Sequence, residues 1–252
     1  MASAIIRPVT DSDEKLVRFM VAKANMESLA AANSRAAYFN PIYVAVWLGL
    51  SAAFLEYMKW YPKPQFGWLG YLQPIPAFAT TFVPLMFLVD WLNRPYFENR
   101  TQDALRSRDM RDNIKDYYSR SPASGFWILE LGEKFVGLIA LDASIEDSAK
   151  NRKGKTTTSE TATIRHFYVQ EPYPASGVQD DLLSHAVNHC FNATPAVVQR
   201  IKSADSPLIP YTRKALKEAG FVLEENTETV GVLRWKLGLR SLQRDAWEKA
   251  KA

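Results

Sequence analysis

Polarity divides this chain into unequal parts. Between residues 36 and 92 the only charged side chains are Glu56, Lys59, Lys63 and Asp90, and the runs Ala36 to Leu55 and Pro64 to Val89 carry none. A bilayer core takes about 20 mostly apolar residues per helix, so each run is long enough to cross one. With the short charged piece between them read as a turn, the pattern predicts a transmembrane helical hairpin, with spans of about 36–57 and 66–91. A single span or re-entrant segment, or a hairpin buried in a soluble core, are the competing readings. They stay open because Pro74, Pro76 and Pro84 lie in the second run and proline removes a helical hydrogen bond, although membrane helices accommodate it. A signal peptide fits poorly, since about 35 mixed and charged residues come first.

Outside that block the pattern alternates between strand and helix periods. Ala4 to Pro8 reads as a short strand, and Thr10 or Asp11 can cap a helix running to about Ala32. Thr101 to Tyr118 is charged but carries Leu105, Met110, Ile114 and Tyr117, which suits a helix lying over a surface. Phe126 to Leu131 and Phe135 to Leu141 flank Gly132, Glu133 and Lys134 as a hairpin. Residues 144–160 are polar and predict an exposed, mobile loop. Thr161 to Val169 is a third strand, whose period of two would put Thr163, Arg165 and Phe167 on one face and Ile164, His166 and Tyr168 on the other. A helix over Ser176 to Phe191, a strand over Val197 to Ile201 and a helix from Pro210 to Ala219 follow. Strands over Phe221 to Leu223 and Val230 to Leu237 and a short helix over 241–252 end the chain. The sum is an α/β fold with a mixed sheet, divided as 1–35, the hairpin 36–92, 93–238 and a helical tail 239–252.

Charge and cysteine content change this picture little. A net charge of +4 over 252 residues gives weak attraction to an anionic membrane and no case for nucleic acid. The single cysteine, Cys190, excludes an internal disulfide and fits a reducing compartment. Lys23 and Arg35 precede the first apolar run and Arg94, Arg100, Arg106 and Arg108 follow the second, against Lys59 and Lys63 in the turn. That bias favours both termini on the cytosolic side. His185 and His189 have a spacing that can grip metal, but the sequence between them offers no carboxylate, and no metal is expected. The basic run Lys150 to Lys155 has no aromatic neighbours and reads as a solvated loop.

Two segments carry a family resemblance. One is Val169-Gln-Glu-Pro-Tyr-Pro-Ala-Ser-Gly-Val-Gln-Asp-Asp-Leu-Leu183; the other is Ala215-Leu-Lys-Glu-Ala-Gly-Phe221. In order and setting they resemble the pyrophosphate motif and the Leu-Tyr-Glu-Lys-Leu-Gly-Phe ending of the Gcn5-related N-acetyltransferase (GNAT) superfamily. The resemblance covers about residues 4–35 and 100–238, and the inserted hairpin is similar to that of a membrane-bound branch of the endoplasmic reticulum. It implies acetyl transfer from acetyl-coenzyme A to an amine, on a protein or a small molecule. The pantetheine arm would pair with Phe167, Tyr168 and Val169, and Ala175, Ser176, Gly177, Val178, Gln179 and Asp180 would hold the pyrophosphate.

The motif departs from the family in three places: Pro174 replaces Arg or Gln, Gln179 replaces a small residue, and Leu216 replaces the tyrosine that often protonates the leaving thiolate. Asp180 and Asp181 also put carboxylates in the first helical turn, which suits the helix dipole but opposes an anionic ligand. His166 is the candidate base by its side-chain type, Glu160 a second by position, and Tyr211 a substitute acid; packing roles explain each as well. Two functions therefore stay open: a membrane-anchored acetyltransferase, or an inactive relative serving another membrane protein as a binding, chaperone or assembly module.

Overall fold

The computed structural model describes residues 4–132, 134–145 and 158–251. Its elements are β1 (Ala4–Pro8), α1 (Glu14–Phe39), α2 (Pro41–Met58), α3 (Ile75–Arg106), α4 (Arg108–Arg111), α5 (Ile114–Tyr118), β2 (Gly125–Leu131), β3 (Lys134–Ser144) and β4 (Thr158–Val169). Then come α6 (Val178–Asn192), β5 (Arg200–Asp205), α7 (Pro210–Glu218), β6 (Val222–Val230), β7 (Trp235–Gln243) and α8 (Arg244–Lys251). The loop expected over 144–160 lies mostly outside the described residues, as do the basic run 150–155 and Glu133; residues 144 and 158–160 are strand. The chain forms two units. One comprises Met1–Asn25, Arg100–Val230 and Trp235–Ala252, the other Met26–Asn99 and Gly231–Arg234.

The first unit is an α/β structure around one seven-stranded sheet of order β1-β2-β3-β4-β5-β7-β6. Every neighbouring pair is antiparallel except β4 with β5. One face is covered by α6 and α7. α6 turns one apolar stripe inward, with Leu182, Leu183, Ala186, Val187, Cys190 and Phe191 buried against Ile139, Leu141, Ile164 and Val169. Burial pushes the Cys190 thiol up to about 12, so it packs as a small apolar residue. The opposite face gathers Val17, Met20 and Val21 of α1 with Met110, Ile114 and Tyr118 over Ile128, Leu138 and Tyr168. The charged helix expected over 101–118 is in fact the end of α3 followed by the short α4 and α5, whose apolar side chains make this second core.

Gly137 marks how tightly the central strands pack. It pairs with Val169, and a Cβ there would stand 2.8 Å from the Tyr168 carbonyl oxygen. Backbone cannot yield at that distance without moving the strand. Gly137→Ala is expected to cost about 1–3 kcal/mol, read as a melting temperature lower by about 2–12 °C.

In the second unit α1 runs on to Phe39, beyond the expected stop at Ala32. The first apolar run is then broken at Asn40, whose side-chain oxygen accepts from the Ile42 and Tyr43 amides, with Pro41 opening α2. The second apolar run begins as a 3-10 turn over Pro64–Leu72 and becomes α3 at Ile75, which continues through Pro84 and Pro95. The Asn-Pro and Pro-rich steps set where these helices start.

This unit exposes large apolar side chains while burying a few polar ones beside Leu29, Ala32, Ala77 and Phe97. Ile42, Phe87 and Trp91 are 74%, 71% and 70% exposed, while Ser51 and Asn93 are 0% and 1% exposed. The inward polar groups bond to one another: Ser51 Oγ with Thr81 Oγ1 at 2.6 Å, Asn33 Nδ2 to Asp90 Oδ1 at 2.7 Å, and Asn93 Nδ2 to Asn33 Oδ1 at 2.9 Å. Pro41–Met58 and Pro64–Arg106 are long and apolar enough to cross a membrane by length and composition.

Candidate active site

β4 is irregular on both edges. Its ladder with β3 pairs His166 with Ala140 and then Ile164 with Leu141, leaving Arg165 as an extra residue, a β-bulge. On the other edge its parallel ladder with β5 runs only from Thr161, opposite Arg200, to Ile164, opposite Ser203. Beyond the bulge, no strand among the described residues pairs with β4 on its β5 side. The Val169 amide points into that gap, donating to Tyr211 Oη at 3.3 Å, while the Gln170 amide points back to the Val136 carbonyl. Backbone alternation directs the Phe167 N–H and C=O into the same gap as those of Val169. The result is a short open strand edge, two residues apart in donor and acceptor groups.

The bulge also corrects the expected faces. Ile164 lies in the α6 core, and Phe167 and Val169 pack there with it. His166 and Tyr168 face α4 and α5. The extra residue at Arg165 breaks the period of two, so Ile164 does not share a face with His166 and Tyr168.

On that second face sits a buried polar network that the sequence did not announce. His166 Nε2 is 2.8 Å from Asp109 Oδ2; a carboxylate only accepts, so this nitrogen carries a proton. Tyr118 Oη donates to the same oxygen at 2.8 Å, and Ser107 Oγ bonds to Oδ1. Beside it, Asp142 accepts from Tyr117 Oη at 3.0 Å, Arg165 Nε at 2.8 Å and Ser144 Oγ at 2.6 Å. Burial works against ionising Asp109, yet the bonds from His166, Ser107 and Tyr118 hold its carboxyl well below the usual range. Asp142 is also lowered, with burial opposed by Ser144 and Arg165. Burial and the neighbouring Asp109 push the Tyr118 hydroxyl far up.

The other candidates fall at different distances from the open edge. Tyr211, in the first turn of α7, is at the gap itself. Glu160 is exposed at the start of β4, seven residues and roughly 20 Å along an extended strand from Phe167. Leu216, in the place of the family tyrosine, is wholly buried in the α6 core.

The loop beyond the open edge forms a 3-10 turn over Tyr173–Ser176 and reaches Gly177, whose φ of 77° favours glycine, before α6 starts at Val178. Asp180 Oδ2 lies 3.6 Å from where a Cβ on Gly177 would stand. Burial, with Glu218 nearby, raises the Asp180 carboxyl. Gln179 is buried, its Oε1 without a hydrogen-bond partner among the described residues and its Nε2 3.4 Å from Asp180. His185 and His189 flank the Trp127 ring at 5.3 and 4.8 Å, a packing role. Among the described residues no group of three or more His, Cys, Asp or Glu could hold a metal.

The open β4 edge fits the amide groups of a pantetheine arm, since it presents both donors and acceptors. The start of α6 fits a pyrophosphate less well: Asp180 and Asp181 lie in its first turn and the Asp180 amide bonds back to the Gly177 carbonyl.

No family model matches the chain, and no curated protein matches it. Several solved structures resemble it in fold. Spermidine N-acetyltransferase from Vibrio cholerae, in complex with CoA and spermine, is 12% identical with a TM-score of 0.48, covering 97% of this chain and 98% of its own. Ribosomal-protein-S5-alanine acetyltransferase from Vibrio fischeri is 12% identical at 0.44, covering 98% and 96%. A GNAT-family acetyltransferase from Streptococcus pneumoniae is 14% identical at 0.45, covering 62% and 90%. Likeness at this level concerns the α/β mixed-sheet fold and carries nothing about ligand or reaction.

Proposed function

We propose that this chain is a membrane-anchored N-acetyltransferase that takes acetyl-coenzyme A along the open edge of β4 and acetylates an amine. The observation that carries it is the gap beyond Ile164, where Phe167 and Val169 turn backbone groups outward between Tyr211 on one side and His166 with Asp109 on the other. Acetyl-coenzyme A supplies an activated thioester when bound. The chain supplies the rest. Phe167 and Val169 orient the arm by strand-like hydrogen bonds, and a backbone N–H of this edge faces developing negative charge. His166, held by Asp109, presents Nδ1 to take a proton from an ammonium acceptor. Tyr211 Oη holds a proton at the gap.

The large apolar side chains exposed on Met26–Asn99 support the anchor: lipid suits Ile42, Phe87 and Trp91, and the polar bonds between helices suit packing without water. The basic flanks favour both termini on the cytosolic side, and the family resemblance suggests the endoplasmic reticulum.

Asp180 at the α6 start favours a second reading, an acetyltransferase fold kept as a binding or assembly module for another membrane protein. Titration calorimetry of the solubilised protein separates the two. Specific micromolar binding of acetyl-coenzyme A, absent with a charge-matched nucleotide, is the expected outcome. Folded protein that binds nothing specifically at millimolar ligand overturns the enzyme reading.

A further inference from the structure

β6 and β7 are joined by a turn, Gly231 to Arg234, that belongs to the second unit although both strands belong to the first. It interrupts the strand expected over Val230 to Leu237. Gly231 at φ 74° and Arg234 at φ 52° are both left-handed, and the Arg234 amide donates to the Gly231 carbonyl at 3.0 Å, closing a tight loop. Three consecutive residues are exposed on it: Val232 at 45%, Leu233 at 38% and Arg234 beside them. Valine and leucine are poor choices for a turn in water, where glycine, proline, asparagine, aspartate and serine dominate.

The turn is fixed against α3 at a defined level. The Val232 amide donates to Asn93 Oδ1 at 2.9 Å, and Asn93 Nδ2 donates in turn to Asn33 Oδ1 at 2.9 Å. The buried Asn93 amide thus ties α1, α3 and the turn together. Asn93 lies four residues beyond Val89, where the uncharged run ends, and Trp91 and Tyr96 bracket it. At roughly 1.5 Å per residue they stand about 3 Å and about 4.5 Å from it along the helix axis. Both rings are exposed, and Trp and Tyr at the end of an apolar run mark the headgroup level of a bilayer. The tip of the turn shares that level with the exposed surface of Trp91, Leu92 and Tyr96.

We infer that this turn is a membrane contact in its own right: Val232 and Leu233 enter the headgroup region of a phospholipid bilayer, and Arg234 pairs with lipid phosphate. The inference rests on the anchoring part of the proposed function, which puts α2 and α3 across that bilayer. Continuity with the exposed apolar surface of α3 names lipid as the occupant. The cation beside the two apolar residues matches the anionic headgroups of a cytosolic leaflet. Arginine suits the place because its guanidinium forks onto phosphate oxygens. Apolar residues that enter the interface beside a cation that stays at its surface are how amphipathic segments seat on a bilayer.

The test uses the full-length protein, one copy per nanodisc of phosphatidylcholine and phosphatidylserine, with an environment-sensitive fluorophore on a single introduced cysteine. Cys190 is buried, so the native protein serves as the unlabelled blank. Val232→Cys and Leu233→Cys place the probe on the turn, Phe87→Cys on an exposed position of α3, and Asn226→Cys on an exposed position of β6. The expected result at both turn positions is a blue-shifted emission, quenching by lipids spin-labelled next to the headgroup, and loss of the iodide quenching seen at Asn226. The probe at Phe87 is expected to respond to lipids spin-labelled near the chain end. A lipid response at Phe87 with iodide quenching at the turn equal to that at Asn226 overturns the inference and leaves the anchor standing. Protection from iodide at the turn without quenching by spin-labelled lipid overturns it too, since protein then covers the tip. No lipid response at Phe87 refutes the membrane reading and this contact with it.

Discussion

Replacing Asp109 with alanine is expected to unfold this protein more readily than any other single change at the candidate site. Its carboxylate is 2% exposed and takes bonds from His166, Tyr118 and Ser107. Truncation leaves a tyrosine hydroxyl and an imidazole N–H buried without an acceptor, a loss of about 3–5 kcal/mol and a melting temperature lower by about 6–20 °C. Asp109→Asn is the informative companion. Its amide oxygen still accepts from His166 and Tyr118, so it keeps the geometry and loses the charge, at about 1–3 kcal/mol.

The two variants also differ from the native protein in pH dependence. The Asp109 carboxyl is lowered in the folded state, so it binds its proton less readily there than in the unfolded chain, where its pKa is about 3.9. Its contribution to stability is complete above that value and is lost as pH falls through the lower folded value. The gap between native protein and Asp109→Asn should therefore be full at neutral pH and close progressively below about pH 4. A gap that stays constant down to acid unfolding would mean that the carboxylate is not the charged partner the geometry describes.

Why Asp109 escaped sequence reading is instructive. It sits in a segment dense with Arg and Asp, where charge reads as solvent exposure, and its burial depends on β4 crossing above it with His166, 57 residues later in the chain. No local pattern encodes such a contact. The bulge at Arg165 is similarly silent, because the stretch from Thr161 to Val169 alternates well enough to look like a regular strand. By contrast, the α6 stripe from Leu182 to Phe191 was legible, since a 3.6-residue period and one buried face are the same statement. The two apolar runs were legible as composition, whereas the helix break inside the first is a local signal. Asn40 and Pro41 carry a plain helix-start signal inside a run whose hydrophobicity drew attention to length alone. Tyr211 could be placed at the start of a helix from the sequence, whereas its approach to the Val169 amide depends on how β4 and β5 part.

That approach makes Tyr211→Phe the sharpest test of the chemistry. In the structure Tyr211 Oη accepts from the Val169 amide, and as a phenol it also carries a proton of its own. The same amide is a donor that the pantetheine arm of the proposed function would use, so the tyrosine would compete with the arm for Val169 while holding a proton beside it. Removing the hydroxyl separates these effects. As a general acid its loss should lower kcat by about 10²-fold or more and remove the alkaline limb of the kcat–pH profile. As a competitor its loss should leave acetyl-coenzyme A affinity unchanged or up to about tenfold tighter, the worth of one hydrogen bond. A fall in kcat with affinity preserved therefore assigns the proton to Tyr211. Weakened binding with the pH profile intact would instead mean that the hydroxyl builds the edge and takes no part in proton transfer. Unchanged kcat, affinity and profile would reduce it to a packing residue and return the search for the acid to the face that carries His166.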